Sequence, residues 1–555
     1  MKRIISLFAA FALVFGLASC AVSETEVKSL HVDIDAFLSQ MDSAEFTLQP
    51  DEKIITESGS VNLADVKDYR ENAADDTAAV EAAVSFAGQI GAGAVVYFSE
   101  GTYEVGNVTI PKNVGFAVSP TAVIKVKAGC VFKVDSDDIY ISKRPTLTGE
   151  GDYDFTGGVN YCYPEWFGTG SKGFQKAVRA AETVYLTRTN YTLDETVVLP
   201  QGRNIDIIGI SSHGTVITAE VSEGDPPCVF SYVYSEGEPT SVSFNFMHFL
   251  ESGGTTMVFL HYEGDPVTKA GSVKFHSIRI ESGKTLAEVT NATGCDFSEI
   301  YSMRGGLIAD FGGGVNDAKF TRVLCSGNKT GLITADGLDA DGNRSSGLYF
   351  YNSSSVTAGG IDFEIKNYDN VDFIQSSGDL GLGSDNPASL YMENVEHFRV
   401  IRSWWASNMG ISVEPAAGAV PQKRVGVRLI NCCDGLISGS TITNHLEGVK
   451  ITGGSSEKRI VIEGNEFRGN GYSEISLDGA VGVDILGNTF ESPIYYYYIT
   501  KSPLMPDGIY TVWVRSENSD CVVRNNFFLN AYLRDDDVMN KSYPGLTVED
   551  NLFNC

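Results

Sequence analysis

The sequence predicts an all-β chain: a right-handed parallel β-helix solenoid with a capping helix near its N-terminal end. Three observations predict it. From about residue 300, short β-branched segments recur behind a glycine: "GLIAD" at Gly306, "GLITA" at Gly331, "GIDFE" at Gly360, "GLGSD" at Gly381, "GISVE" at Gly410 and "GVKIT" at Gly448, then "EISLD" at Glu474. A second marker runs out of phase with them, "ISGSTI", "IEGNEF", "ILGNTF", "VRNNFF" and "VEDNLF", with Asn465, Asn488, Asn526 and Asn551 at one position and Ser440 at the same place in the first. Glycine is plentiful (58) and proline scarce (17), which suits many tight turns between short strands.

Taken in order, residues 1–19 read as an export signal, with Lys2 and Arg3 ahead of the apolar run "IISLFAAFALVFGLA". Residues 20–59 read as a linker, 60–160 as a β-rich capping segment and 161–555 as the solenoid. "DDTAAVEAAV" predicts a short amphipathic helix capped by Asp75 or Asp76, with Ala79, Val80, Ala83 and Val84 on one face. The stretch "GFQKAVRAAETVYL" has the same outline, with Phe174, Ala177, Val178 and Ala181 at helical spacing. A solenoid end exposes unpaired strands and core, so the first helix is expected to close it. The second copy marks a restart of the winding or a small subdomain before the main coil.

In the repeats, apolar residues alternate with no helical period, so each coil is expected to stack on the next in parallel. The marker asparagines are expected to form a hydrogen-bonded ladder, a structural role.

The net charge is −30, from 41 basic and 71 acidic residues. Such a surface repels phosphate backbones and sets nucleic acid aside as a partner. It also repels long polyanions unless a local basic patch or a bridging cation intervenes. The cysteines after Cys20 show no metal-type pairing and are expected to be mostly small buried residues.

"LASC" before position 20 resembles a bacterial lipoprotein signal, which implies that Cys20 carries the lipid. The acidic "SETE" behind it resembles signals of surface-exposed lipoproteins. The localisation so implied is the outer membrane, at the cell surface or periplasmic face, with the lipid as the only membrane contact. "DDTAAVEAAV" followed by "GAVVYFSEGTYEV" resembles the N-terminal signature of the pectate lyase-like superfamily, and "YPEWFGTG" resembles a restart seen in β-helix proteins of that group. The resemblance implies a polysaccharide partner and hydrolase, lyase, epimerase or purely binding activity. The polygalacturonase set of "NTD", paired "DD", "GHG" and "RIK" is absent; "SSHG" at Ser211 is the nearest piece.

Chemistry is sought in the fifth position of the glycine-led coils: Asp310, Ala335, Glu364, Asp385, Glu414, Thr452 and Asp478. In register, neighbouring carboxylates would stand about 5 Å apart, and like charges that close push their pKa values apart. Glu364, Asp385 and Glu414 are therefore the candidate catalytic residues for glycosidic cleavage. A solvated acidic stripe, or Ca2+ bridging between coils, is the other use of such a column; no metal ligands are assigned. Arg399 and Trp404 are expected to face outward as a sugar platform, with Phe398, Val400 and Trp405 inward. Tyr496, in the insertion "SPIYYYYITKSPLMPDGIY", and Trp513 complete the expected substrate contacts. The functional expectation is a surface-associated carbohydrate-active protein cleaving glycosidic bonds. The alternatives are a noncatalytic glycan-binding or adhesive protein, and a polysaccharide lyase with Arg399 as base.

Overall fold

The computed structural model describes residues 63–91, 93–222, 227–251, 257–327, 330–356, 360–381, 388–407, 425–470, 473–491, 511–515, 518–529 and 545–554. The chain divides into Met1–Val61 and Asn62–Cys555, and every described residue belongs to the second unit. Cys20, Asp385, Glu414 and Tyr496 lie outside the described residues. Among the described residues, no helix is long and apolar enough to cross a membrane.

The winding starts early. Leu63–Asp65, Val95–Phe98, Gly115–Val118 and Ile139–Ile141 pair in parallel as a four-stranded sheet, accompanied by two three-stranded parallel sheets that end at Leu147–Gly149 and Asp152–Asp154. The helix Asp76–Ile90 packs against the first of these strands and buries Ala79, Val80, Ala83 and Ala87. Its cap is Asp75, whose carboxylate accepts the Ala78 N–H at 3.0 Å, which satisfies one of the donors a helix start leaves open. Asp76 instead takes a two-pronged pair from Arg70, at 2.7 and 2.8 Å.

The second copy is built on the same plan. The helix Gly170–Ala180 buries Phe174, Ala177 and Val178, and the strand Thr183–Tyr185 follows. In both copies a buried tyrosine ties the turn four residues upstream. The Tyr103 hydroxyl donates to the Ser99 carbonyl at 3.0 Å, and the Tyr191 hydroxyl accepts the Thr187 N–H at 2.8 Å. From Tyr161 onward the strands join two long sheets, one of 25 strands and one of 12, apart from a separate pair formed by Ala292–Thr293 and Val315–Asn316, and all are paired in parallel.

Each coil of the long sheet turns a corner at one residue with left-handed backbone: Asn352, Gln375, Arg402, Gly439, Gly464, Gly487, Asn525 and Asp550 in successive coils. The residue after each corner points inward, and these residues form the expected ladder. The N–H groups of Ser353, Ser376 and Ser403 donate to the hydroxyl one coil on at 3.1–3.4 Å. Those of Ser440, Asn465, Asn488 and Asn526 donate to the next asparagine Oδ1 at 2.9 Å. The longer amide reaches the neighbouring coil more closely than the hydroxyl does, and its Nδ2 also meets a buried carbonyl, as Asn488 does at Ile462. The corner peptides are thereby satisfied inside the coil.

The apolar interior stacks in the same way. Phe244, Phe275, Phe297, Phe320, Phe350 and Phe373 lie face over face with centroids 4.5–5.5 Å apart. Such a pair adds about 0.5–1.5 kcal/mol beyond its burial. Cys162, Cys295, Cys325, Cys432, Cys433 and Cys521 are buried and unpaired, as small core residues.

Candidate functional site

The 12-stranded sheet positions the site. Its strands hold one inward file, Leu260, Ala287, Ala309, Ile333, Phe363, Leu390, Val427, Val449, Ile475 and Val512, all buried. Because strand side chains alternate, the next residue of each strand belongs to a second, parallel file. That file reads His261, Glu288, Asp310, Thr334, Glu364, Tyr391, Arg428, Lys450, Ser476 and Trp513.

The expected carboxylate column is corrected by this register. Ala335 points into the core, and Thr334 takes its place between Asp310 and Glu364. The ladder neighbour of Glu364 on the far side is Tyr391, in the strand Ala388–Glu393, and the coil after that contributes Val425–Ile430. Gly381 closes a strand of the long sheet, Ser377–Gly381, rather than opening one here. Thr452 and Asp478 pair with each other two positions along, in a separate file with Lys366, Glu393 and Ile430. The glycines mark turns of varying depth, so counting from them drifts by one or two residues.

Arg399 and Trp404 do face outward, and Phe398, Val400 and Trp405 are buried. Both outward residues stand on the long sheet, on either side of the corner at Arg402, while Glu364 stands on the 12-stranded sheet. Arg399 forms a two-pronged pair with Asp372 one coil back, Nε to Oδ1 at 2.7 Å and Nη2 to Oδ2. Trp404 is 41% exposed. Trp513 shares the file of Glu364, five coils on, with the Arg515 guanidinium 3.9 Å above its ring.

Around the carboxylates the electrostatics differ from residue to residue. Glu288 is held on both oxygens, by Lys284 Nζ at 2.9 Å and by His261 Nδ1 at 3.4 Å. The His261 bond and the lysine depress its pKa against the cost of burial. His261 also meets Glu263 at 3.0 Å, and its two carboxylate partners raise its pKa, Glu288 most. Asp310 is half-buried and accepts no hydrogen bond among the described residues. Burial first, then the charge of Glu288, pushes its carboxyl above the ordinary range; Lys284 opposes this and Glu364 adds to it. Glu364 Oε1 lies 2.7 Å from Lys366 Nζ. The Tyr391 hydroxyl donates to Glu393 at 2.8 Å, and burial followed by that bond pushes it up to about 12.

Beyond Tyr391 the file turns basic. Arg428 is half-buried, with its Cζ 5.7 Å from the Tyr391 ring centroid, and forms no ion pair or hydrogen bond among the described residues. Lys450 follows, 3.9 Å from Glu447. The loop "DGLDADGN" is occupied by a lysine: Asp339 accepts the Asn343 N–H at 2.8 Å and Lys269 Nζ at 2.6 Å. Among the described residues, no three His, Cys, Asp or Glu side chains gather as a metal site.

Glu288, Tyr391, Arg428 and Lys450 were not among the sequence candidates. Their signal is a lone polar residue inside an apolar strand, as in "LAEVT", "LYME", "VRLI" and "VKIT". The pattern gives orientation but not which of these strands are neighbours.

Fold and site define a parallel β-helix protein with one face carrying a file of carboxylates, aromatics and cations. Residues 390–554 match the family model described as "Right handed beta helix region". Comparison with curated proteins gives no match. Among solved structures the chain is similar to tailspike protein 3 of bacteriophage CBA120, at 11% identity and TM-score 0.42 over 71% of this chain and 61% of that one. It is similar to the catalytic domain of a GH87 alpha-1,3-glucanase in complex with nigerose, at 10% identity and TM-score 0.38 over 71% and 68%. A third is the Azotobacter vinelandii mannuronan C-5 epimerase AlgE6 A-module, at 13% identity and TM-score 0.33 over 88% and 99%. The chain spans 61% of the length of the tailspike.

Proposed function

We propose that this chain cleaves glycosidic bonds in a polysaccharide lying along the 12-stranded face, with Asp310 as proton donor and Glu364 as general base. The observation that carries the reading is the Asp310 carboxyl, half-buried and pushed toward its neutral form, two coils from Glu364 with only Thr334 between them. An acid kept protonated near a second carboxylate is the pair glycoside hydrolysis uses.

Two coil steps separate the backbones by about 10 Å, which leaves room for a water between the side chains and favours inversion over the ~5 Å gap of retention. Asp310 gives its proton to the glycosidic oxygen as the anomeric C–O bond breaks. Glu364 takes a proton from the water whose oxygen forms the new bond to that carbon. Glu288, one step from Asp310, has both oxygens engaged by Lys284 and His261 and supplies charge rather than a nucleophile. The lyase alternative with Arg399 as base is less well supported, because Arg399 stands on the other sheet and is paired on both prongs with Asp372.

The test is release of reducing ends from a panel of plant, algal and bacterial polysaccharides, with the product anomer followed by proton NMR. Inverted product, lost in Asp310→Asn and in Glu364→Gln, supports the reading. Glycan that is bound but never cut favours the noncatalytic alternative. We also propose that Cys20 carries a lipid holding the chain at an outer membrane. Labelling with a palmitate analogue that persists in Cys20→Ala would overturn that.

A further inference from the structure

Arg428 is out of keeping with its surroundings. The chain carries a net charge of −30, and other long cations on this face are engaged: Lys284 with Glu288, Lys366 with Glu364 and Arg515 with Glu447. Arg428 is half-buried as Lys366 and Arg515 are, but it has no carboxylate beside it: its enclosed Nε has no partner, and its guanidinium forms no ion pair, among the described residues. A guanidinium withdrawn from water without a partner is costly, and its planar fork matches a carboxylate or sulfate two bonds at a time. The Tyr391 ring beside it and Lys450 one coil on complete a small basic and aromatic platform. The other half of the file has the opposite sign, through Glu288, Asp310 and Glu364.

We infer that the glycan is an acidic heteropolysaccharide, with a carboxylate or sulfate on the sugar against Arg428 and neutral sugars across Glu288, Asp310 and Glu364. The inference rests on the glycan reading above and extends it to the substrate's charge pattern. Arg428 stands two coils from Glu364 and four from Asp310. A pyranose in an extended chain advances by about the ~5 Å of one coil, so the charged sugar sits roughly four units from the one that receives the proton. A homopolyuronate would set a carboxylate against each acid of the file and be repelled there.

The probes are a linear glycan with about one glucuronate in each four-sugar repeat, its carboxyl-reduced form, a sulfated neutral galactan and polygalacturonate; the charge-assisted fork is what separates them. Binding is measured by isothermal titration with the full chain, Arg428→Gln and Arg428→Lys, after matching circular dichroism and thermal midpoints. Wild type is expected to bind the glucuronate glycan at least about tenfold more tightly than its reduced form, and Arg428→Gln to lose that preference. Arg428→Lys is expected to keep part of it, because the charge remains and the fork does not. Tighter binding of the sulfated galactan than of the glucuronate glycan would assign the anion as sulfate. The inference is overturned if wild type does not distinguish parent from reduced polymer, if Arg428→Gln distinguishes them as well as wild type, or if polygalacturonate binds as tightly. In those cases the glycan reading stands; binding to none of the polymers, charged or neutral, removes both.

Discussion

Asp310 and Glu364 share one outward file of the 12-stranded sheet, separated by Thr334 and close enough for the charge of Glu364 to raise the Asp310 pKa. Thr334, a shorter side chain, stands between the two carboxyls in the ladder. If this pair performs cleavage, Asp310→Asn and Glu364→Gln each lower kcat by about 10²–10⁴ with unchanged thermal midpoints. Equal loss from Glu288→Gln would move the assignment to the neighbouring pair.

If Asp310 is the proton donor, its pKa sets the alkaline limb of the rate profile, and its neighbours set where that limb falls. Glu288 raises the pKa and Lys284 lowers it. Glu288→Gln is therefore expected to move the alkaline limb of kcat/KM to lower pH, and Lys284→Met to higher pH. A carbon-13 titration of the Asp310 carboxyl checks the same two signs without turnover.

Glu474 is fully buried, with one oxygen bonded to Asn470 Nδ2 and the other without a partner among the described residues. Burial pushes its carboxyl well above the ordinary range. The folded pKa thus exceeds the unfolded one, so this group's contribution is intact below about 4.5 and is lost as pH rises toward the folded value. Glu474→Gln is expected to raise the thermal midpoint by about 2 °C at pH 8 and to leave it unchanged at pH 4. Differential scanning calorimetry at the two pH values reads it out.

In the corner ladder, Asn488 accepts the Asn465 N–H at 2.9 Å and gives Nδ2 to the Ile462 carbonyl at 2.8 Å. Asn488→Ala leaves both groups buried and unmet, a cost of about 2–4 kcal/mol. Asn488→Ser should recover part of it, since serines hold the same rung at Ser376 and Ser403. Native-state hydrogen exchange at Asn465 is the direct measurement.

Gly435 lies opposite Phe398, where an added Cβ would stand 2.0 Å from the ring. Gly435→Ala is expected to cost about 1–3 kcal/mol by overpacking, and Phe398→Leu in the same chain to relieve it. Denaturant midpoints of the two single variants and the pair measure the coupling.

The amino-acid sequence by itself determined the winding and its local devices. Helix faces at Ala79, Val80 and Phe174, the cap at Asp75, the inward run of Phe398, Val400 and Trp405, and the rungs at Asn465, Asn488, Asn526 and Asn551 are all legible. Each follows from spacing within a few residues or from a marker that repeats, and alternation in a strand is a local property. The tertiary structure alone decided which strands of different coils are neighbours. Glu364 meets Thr334 and Tyr391 because the chain between coils varies in length, so the glycine at the head of a segment is no fixed origin. That register sets Asp310 two steps from Glu364, places Arg399 and Trp404 on the other sheet, and leaves Arg428 without a partner among the described residues beside Tyr391. Pairing between coils is settled by core packing and ladder hydrogen bonds across 20 to 40 residues of chain, a distance over which spacing carries no register.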